Sequence, residues 1–412
     1  MMRMQSGRLR IAVFLYGPTR GGATRRGLTL AEGFASHGHA VDLVMARRDG
    51  PLAGRISPRL RVVDLSGGIK PPRLLRNRRI RTRLCVAGLE RYLLRERPDV
   101  LLAGSTAVHL AALRAHRRAR VDTGLVLRAC SHLSSVSLST RRFPRPLQLV
   151  NARLHYGKAA AAIAVSEDVA EDLAKVTTLP REHIHVVPNP VIPPDLEQSL
   201  RGPLEHSWFG DGGPPIVLSA GRLARQKDFP TLLRAFALLR ERRQARLVIL
   251  GEANGGTGRE ELERLALRLG IAKQVSLPGM VDNPFPYMAR ADVFALSSAW
   301  EGMPGVLIEA MASGCPVVST DCPGGSREIL EDGALGPLVP VGDAAALAEA
   351  LEKTLDAPVD AGRLRSRASV FGIDASVERY LSVLHHVAPT RRSQPRAPHE
   401  LPLPGGAVAA AR

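Results

Sequence analysis

Aromatic side chains are scarce in this 412-residue sequence, at 4% of residues. A chain so poor in stacking surfaces lacks the platforms on which proteins grip single-stranded nucleic acid. Cysteine is scarcer still: Cys85, Cys130, Cys315 and Cys322 have no paired CxxC spacing. That argues against a zinc site and a disulfide framework, and it fits a reducing cytoplasm. No apolar run reaches the roughly 18 to 20 residues needed to cross a bilayer. The opening MMRMQSGRLRIAVFLYGPTR is positively charged, but its apolar segment is short and ends in Gly17-Pro18 instead of a small-residue cleavage site. It reads as a first strand. A repeat of solenoid period is also lacking.

What abounds is positive charge, 57 Lys+Arg against 39 Asp+Glu for a formal +18. It is uneven: residues 47–97 carry 15 basic and 4 acidic side chains. A clustered patch attracts an anionic surface. Anionic lipid headgroups or a pyrophosphate-bearing lipid would suit it, each nearby cation adding about 1 kcal/mol. A peripheral contact with the inner face of a membrane is therefore expected through Arg73 to Arg97. Nucleic acid is the other anionic partner, but Tyr92 is the one aromatic residue in the patch, so none is expected. A solvated face explains the same residues equally well.

The chain exceeds the size at which one core stays single, and 45% of its residues are hydrophobic, so two domains are expected. Strand-like apolar runs fall at 10–16, 40–45, 60–65, 100–105, 124–127, 160–165 and 184–187, with helical spacing after Gly21-Gly22, through the basic segment and at 107–118. Prolines and glycines break the pattern at 187–213. It restarts with strands at 216–220, 246–250, 274–277 and 292–296 and helices at 230–243, 259–269, 344–355 and 374–386. Strands alternating with helices predict an α/β protein with mostly parallel sheets covered on both faces. The expected division is a domain at 1–190, a linker at 191–213, a second domain at 214–372, a closing helix at 373–387 and a tail at 388–412. The tail is rich in proline, alanine and glycine without periodicity, which predicts disorder.

The chemistry concentrates in residues 291–330, ADVFALSSAWEGMPGVLIEAMASGCPVVSTDCPGGSREIL. An apolar run is followed by Glu301-Gly302, a helix begun at Pro304 and closed by Gly314, a second apolar run and a glycine-rich turn. Glu301 and Glu309 thus bracket a helix N-terminus, whose free amides and partial positive charge suit a phosphate. In LSAGRLARQKDFP, Arg222 and Lys227 leave the carboxyl end of a strand, where open α/β sheets bind ligands. Arg222 offers a bidentate fork and Lys227 a point charge to a diphosphate.

GRLARQKD followed by SSAWEGMPGVLIEAMASGCPVVSTDCPGGSREIL closely resembles the retaining glycosyltransferases of family four. Glu301 and Glu309 meet their Glu-x7-Glu pattern, with Gly302, Pro304, Leu307, Ala310, Gly314, Pro316 and Val317 in place. The likeness is strongest over 218–330, and FGIDASVERYLSVL looks like the closing segment of such enzymes. Trp300 before Glu301 and NGGTG after Glu252 depart from the pattern. The resemblance implies the GT-B fold, two Rossmann-like domains facing across a cleft, with the first domain on the acceptor side and the second holding a nucleotide-sugar donor. It further implies transfer of a hexose or N-acetylhexosamine, with retention, to a glycan or lipid-linked acceptor in cell-surface polysaccharide or glycolipid synthesis, with no cofactor and no metal. By similarity Glu309 takes ribose hydroxyls and Glu301 those of the transferred sugar. Arg222, Lys227 and the amides of Gly302, Met303, Pro304, Gly305 and Val306 would face the diphosphate, proline contributing position only.

In the first domain Gly21 and Gly22 resemble the glycine-rich loop at which backbone approaches donor and acceptor; an ordinary turn is the alternative. His132 stands where many relatives carry a histidine near the transferred sugar, and a structural histidine fits the same place. Arg128 is either a phosphate contact or a paired strand-end charge. Ser166 reads as cleft-facing or as an N-cap, Asn189 as a hinge or, preferably, a turn. A two-carboxylate glycosidase would also use the glutamates, but leaves Arg222 and Lys227 unexplained. A transferase that binds donor without turnover is opposed by the intact set of four. Retention follows either from front-face return or from a covalent intermediate, and the absence of an evident nucleophile favours the former.

Overall fold

The computed structural model describes residues 7–19, 21–66, 78–139, 146–210, 212–253 and 258–389. They build two parallel sheets with flanking helices. The first holds β1 (Arg10–Leu15), β2 (Ala40–Met45), β3 (Arg61–Asp64), β4 (Val100–Ala103), β5 (Gly124–Ala129), β6 (Ala161–Ala164) and β7 (Ile184–Val186), in the order β3-β2-β1-β4-β5-β6-β7. The second holds β8 (Ile216–Ala220), β9 (Arg246–Leu250), β10 (Val275–Gly279), β11 (Val293–Leu296), β12 (Val317–Thr320) and β13 (Leu338–Val339), in the order β10-β9-β8-β11-β12-β13. Every residue of β4 (VLLA), β6 (AAIA) and β11 (VFAL) is buried. Continuous apolar runs without alternation are what strands covered on both faces require.

The strands expected from the sequence lie within a residue or two of these, the usual uncertainty of element ends. Several short helices were not foreseen, among them Leu133–Ser139, Pro146–His155 and Ala361–Ser369. Leu133–Ser139 reads LSSVSLS, poor helix-forming material. It is held by a distant cap, the Asp172 carboxylate, which accepts from the amides of Leu133 and Ser134 at 2.5 and 3.2 Å.

The start of the expected linker, residues 191 and 192, is pinned to the chain segment that returns at 371–373. The amides of Val191 and Ile192 both donate to the Phe371 carbonyl, at 3.0 and 3.1 Å, and Ile373 N returns a bond to Ile192 O at 3.1 Å. The two chain segments that pass between the sheets therefore run side by side. Beyond Gly372 the helix Ile373–Val387 lies on the first sheet, where Val377, Tyr380, Leu381 and Leu384 join the core of β1 and β2. Gly33 is what lets it approach, since a Cβ there would meet Val377 Cγ2 at 2.4 Å.

Part of the basic segment, 67–77, and most of the expected tail, 390–412, lie outside the described residues, as do 254–257 of NGGTG. In the described part, Arg61 and Arg95 both spend their guanidinium groups on Glu96, at 2.8 Å each. Hydrogen bonds from Arg61, Arg10 and Arg95 hold the Glu96 carboxyl down at about 2. Arg61 is thus half-buried and tied to the fold, while Arg95 makes its ion pair from the surface. Among the described residues no helix is long and apolar enough to cross a membrane.

Candidate active site

Strand order locates the cleft. In the first sheet the chain leaves β1 for β2 on one side and returns to β4 on the other; in the second it does the same about β8, with β9 and β11. Such reversals leave a crevice at the carboxyl ends of the strands. The two crevices face one another and form one cleft, lined by residues that follow β1, β5, β8, β9, β10 and β11.

On the second-sheet wall β8 ends at Gly221, and the neighbouring strand end is Gly251 at φ +144°, where a Cβ would sit 1.8 Å from the Gly221 carbonyl oxygen. Only glycine permits that approach. It opens the floor beneath Arg222, which is exposed, and Lys227, which is not. Lys227 Nζ lies 2.6 Å from Glu301 Oε1, which also accepts from Ser298 Oγ at 2.7 Å. The other oxygen, Oε2, accepts from Gln226 Nε2 at 3.3 Å. Glu301 is 6% exposed and Glu309 7%. Buried carboxylates need such compensation, because an unpaired charge in that setting is strongly destabilising.

Pro304 starts the helix Gly305–Ala312 from an extended conformation and lacks the amide that a first turn cannot use. Glu309 lies one turn in, on the cleft side, and its Oε1 is 2.6 Å from Arg26 Nη2 of the helix Gly22–Ser36 that follows β1. This ion pair crosses the cleft. The sheets also meet at Gly302, where a Cβ would sit 2.1 Å from the Cys130 carbonyl oxygen. Ser166 Oγ donates to Gly302 O at 3.0 Å while capping its own helix through Val169 N; the N-cap reading holds, and the buried side chain does not line the cleft. Asp168 Oδ2 accepts from Gly324 N at 2.6 Å, and Asn189 Nδ2 reaches Met303 O at 3.4 Å.

The first-sheet wall contains Arg128, fully buried on β5. It donates to Tyr380 Oη (3.0 Å), Gly104 O (3.0 Å) and Asn189 Oδ1 (2.5 Å), all neutral acceptors. One guanidinium thus joins β5, the loop after β4, the interdomain crossing and the closing helix. Beside it His109 is buried, and burial pushes its imidazole down to about 4. Nε2–H donates to the Arg128 carbonyl at 3.1 Å, leaving Nδ1 to accept from Tyr156 Oη at 2.9 Å. All four cysteines are free thiols, and burial raises each of them, Cys85 and Cys322 to about 12.

Of the residues singled out from sequence, Gly22, Arg128, Asn189, Arg222, Lys227, Glu301, Gly302, Met303, Gly305, Val306 and Glu309 line the cleft together. Gly21 and Pro304 sit one residue behind it, as the caps of their helices. His132 does not line it. At that height the wall is Cys130 and Ser131, while the His132 ring bonds Ser135 Oγ through Nδ1 at 2.9 Å and turns Nε2 toward Asp168 and Asp172 at 3.6 and 3.7 Å. Arg25, Arg26, Gln226 and Ser298 were not foreseen. A weak signal for the first two was present, since arginines near a helix N-terminus oppose its dipole, and an anion opposite offsets that cost, as Glu309 does for Arg26.

Comparison with known proteins agrees with this geometry. The sequence model of Glycosyl transferases group 1 matches residues 214–357, and that of Glycosyltransferase Family 4 matches residues 20–193. A Campylobacter jejuni enzyme named N-acetylgalactosamine-N,N'-diacetylbacillosaminyl-diphospho-undecaprenol 4-alpha-N-acetylgalactosaminyltransferase is 33% identical over 57% of this chain and 61% of its own length. A lipopolysaccharide core biosynthesis glycosyltransferase of Rhizobium meliloti is 35% identical over 41% of this chain and 49% of its own. The chain thus matches about half to three fifths of the length of these curated relatives. Among solved structures, an Anabaena protein in complex with UDP and glucose superposes with TM-score 0.74 at 20% identity, over 92% of this chain and 100% of its own. A sucrose-phosphate synthase of Thermosynechococcus elongatus gives 0.74 at 22%, over 92% and 99%. At these identities the superpositions establish the fold.

Proposed function

The chain belongs to the group 1 glycosyltransferases of GT-B fold, and on that premise we propose that it transfers a hexose or N-acetylhexosamine from a nucleotide-diphosphate sugar to a glycan or lipid-linked acceptor. The observation that carries this reading is the cluster at the start of the helix Gly305–Ala312, where Lys227 holds Glu301 at 2.6 Å and Glu309 stands one turn in. The diphosphate is a leaving group that gains negative charge, so catalysis needs fixed positive potential where that charge develops. Arg222, Lys227 and the helix amides would supply it. Glu309 accepts from the ribose hydroxyls and Glu301 from those of the sugar, each carboxylate having lone pairs to spare. Glu301 is tied by Lys227 and Ser298, which favours retention by front-face return over attack by a protein nucleophile.

The name of the Campylobacter relative supports a polyprenyl-diphosphate acceptor, and the UDP complex of the Anabaena structure makes UDP the first nucleotide to try. A cytoplasmic protein working at the inner face of a membrane fits such an acceptor. The test is thermal stabilisation by a panel of UDP-, GDP- and ADP-sugars. One nucleotide series is expected to raise the melting temperature by several degrees. Stabilisation by RNA or DNA and by no nucleotide sugar would overturn the reading.

A further inference from the structure

Arg26 has no part in the donor contacts assigned above, yet it occupies their centre. Its Nη2 lies 2.6 Å from Glu309 Oε1, with the Arg26 side chain 15% and the Glu309 side chain 9% exposed. The same nitrogen is 2.9 Å from where a Cβ on Gly305 would sit, so the guanidinium covers the first residue of the helix whose amides face the diphosphate. Another ion pair between the two halves, Arg55 with Asp282, is solvent-exposed and far less constrained.

Arg26 here satisfies the carboxylate that a ribose would need. Two ribose hydroxyls donating to Glu309 compete with it for Oε1. A guanidinium displaced within a half-buried cleft cannot be left without an anion at small cost. The next position for an anion is over the start of the helix Gly305–Ala312, within swing of the flexible side chain, and a guanidinium fork matches phosphate oxygens bidentately. We propose that Arg26 is a donor-binding residue that exchanges Glu309 for the diphosphate when a nucleotide sugar enters, so that the ion pair that ties the two walls is broken on binding and its exchange couples ribose recognition to phosphate recognition.

This rests on the nucleotide-binding reading of the cleft, and it separates ligands that the reading alone does not. A nucleoside must break the pair and gives Arg26 nothing in return; a nucleoside diphosphate gives it a new partner. Binding of UDP, GDP and ADP and of the matching nucleosides is measured by calorimetry, with competition for the weaker ligands, on the wild type and Arg26→Gln. For the base the wild type accepts, the variant is expected to bind nucleoside as tightly or more tightly, and nucleoside diphosphate about tenfold more weakly. Arg26→Lys, which keeps the charge without the fork, should fall between, and it serves if Arg26→Gln does not fold. Equal weakening of both ligands, strengthening of both, or no change overturns the exchange. If the wild type binds no nucleoside diphosphate, it is the nucleotide reading that fails, and the exchange falls with it.

Discussion

Two buried side chains show how this protein handles charge inside its walls. Arg128 keeps its charge because five groups from five segments turn neutral acceptors toward it. His109, against the Arg128 carbonyl, gives its charge up. Between about pH 6.5 and about pH 4 the unfolded chain binds a proton at His109 that the folded chain refuses, so stability present at neutral pH is lost as pH falls through that window. The loss is about 3 kcal/mol for such a shift. His39, His185, His206 and His385, lowered first of all by burial, steepen the same slope. Urea unfolding midpoints at pH 7 and pH 4.5 should differ accordingly, and His109→Gln should flatten the dependence. From sequence, Lys227, Glu301 and Glu309 could be placed because chemistry and spacing coincide in them. His132 was misplaced because one turn of chain at Cys130 and Ser131 decides which side chain meets the cleft, and neither composition nor period records that turn.

At the scale of elements, the cleft depends on close backbone approaches. Gly302 meets Cys130, Gly251 meets Gly221, and Gly324 N is bonded to Asp168. Gly302→Ala would set a methyl group 2.1 Å from a carbonyl oxygen that is held by β5. The loop carrying Glu301 must then shift. Misplacement of about 1 Å costs reactions roughly 100-fold, so turnover should fall by that order while circular dichroism stays that of the wild type; unchanged turnover would show that the contact is dispensable. Strands were the most legible elements because burial on both faces writes them as apolar runs. The helix Leu133–Ser139 was illegible because its stabilising cap, Asp172, comes from another helix.

At the scale of the molecule, the alternation of strands and helices implied two parallel sheets, but not how they are joined. The crossing at residues 189–192, the return at 371–373 and the helix Ile373–Val387 on the first sheet are long-range pairings with no local period. The second half was readable in detail, since its cations and acids fall within two short stretches. The first half was not, because what it brings to the cleft, such as Arg26 paired with Glu309 of the opposite wall, exists only once the sheets face each other. That division sets the most direct test. The purified protein is incubated with each nucleotide sugar and a membrane lipid extract containing polyprenyl-diphosphate-linked glycans, and liberated nucleoside diphosphate is measured. The wild type should release it from one donor class, and Lys227→Ala and Glu309→Ala should release it at least about tenfold more slowly. No release from any donor by the wild type, or equal release by all three proteins, would contradict the assignment of this cleft as the site of glycosyl transfer.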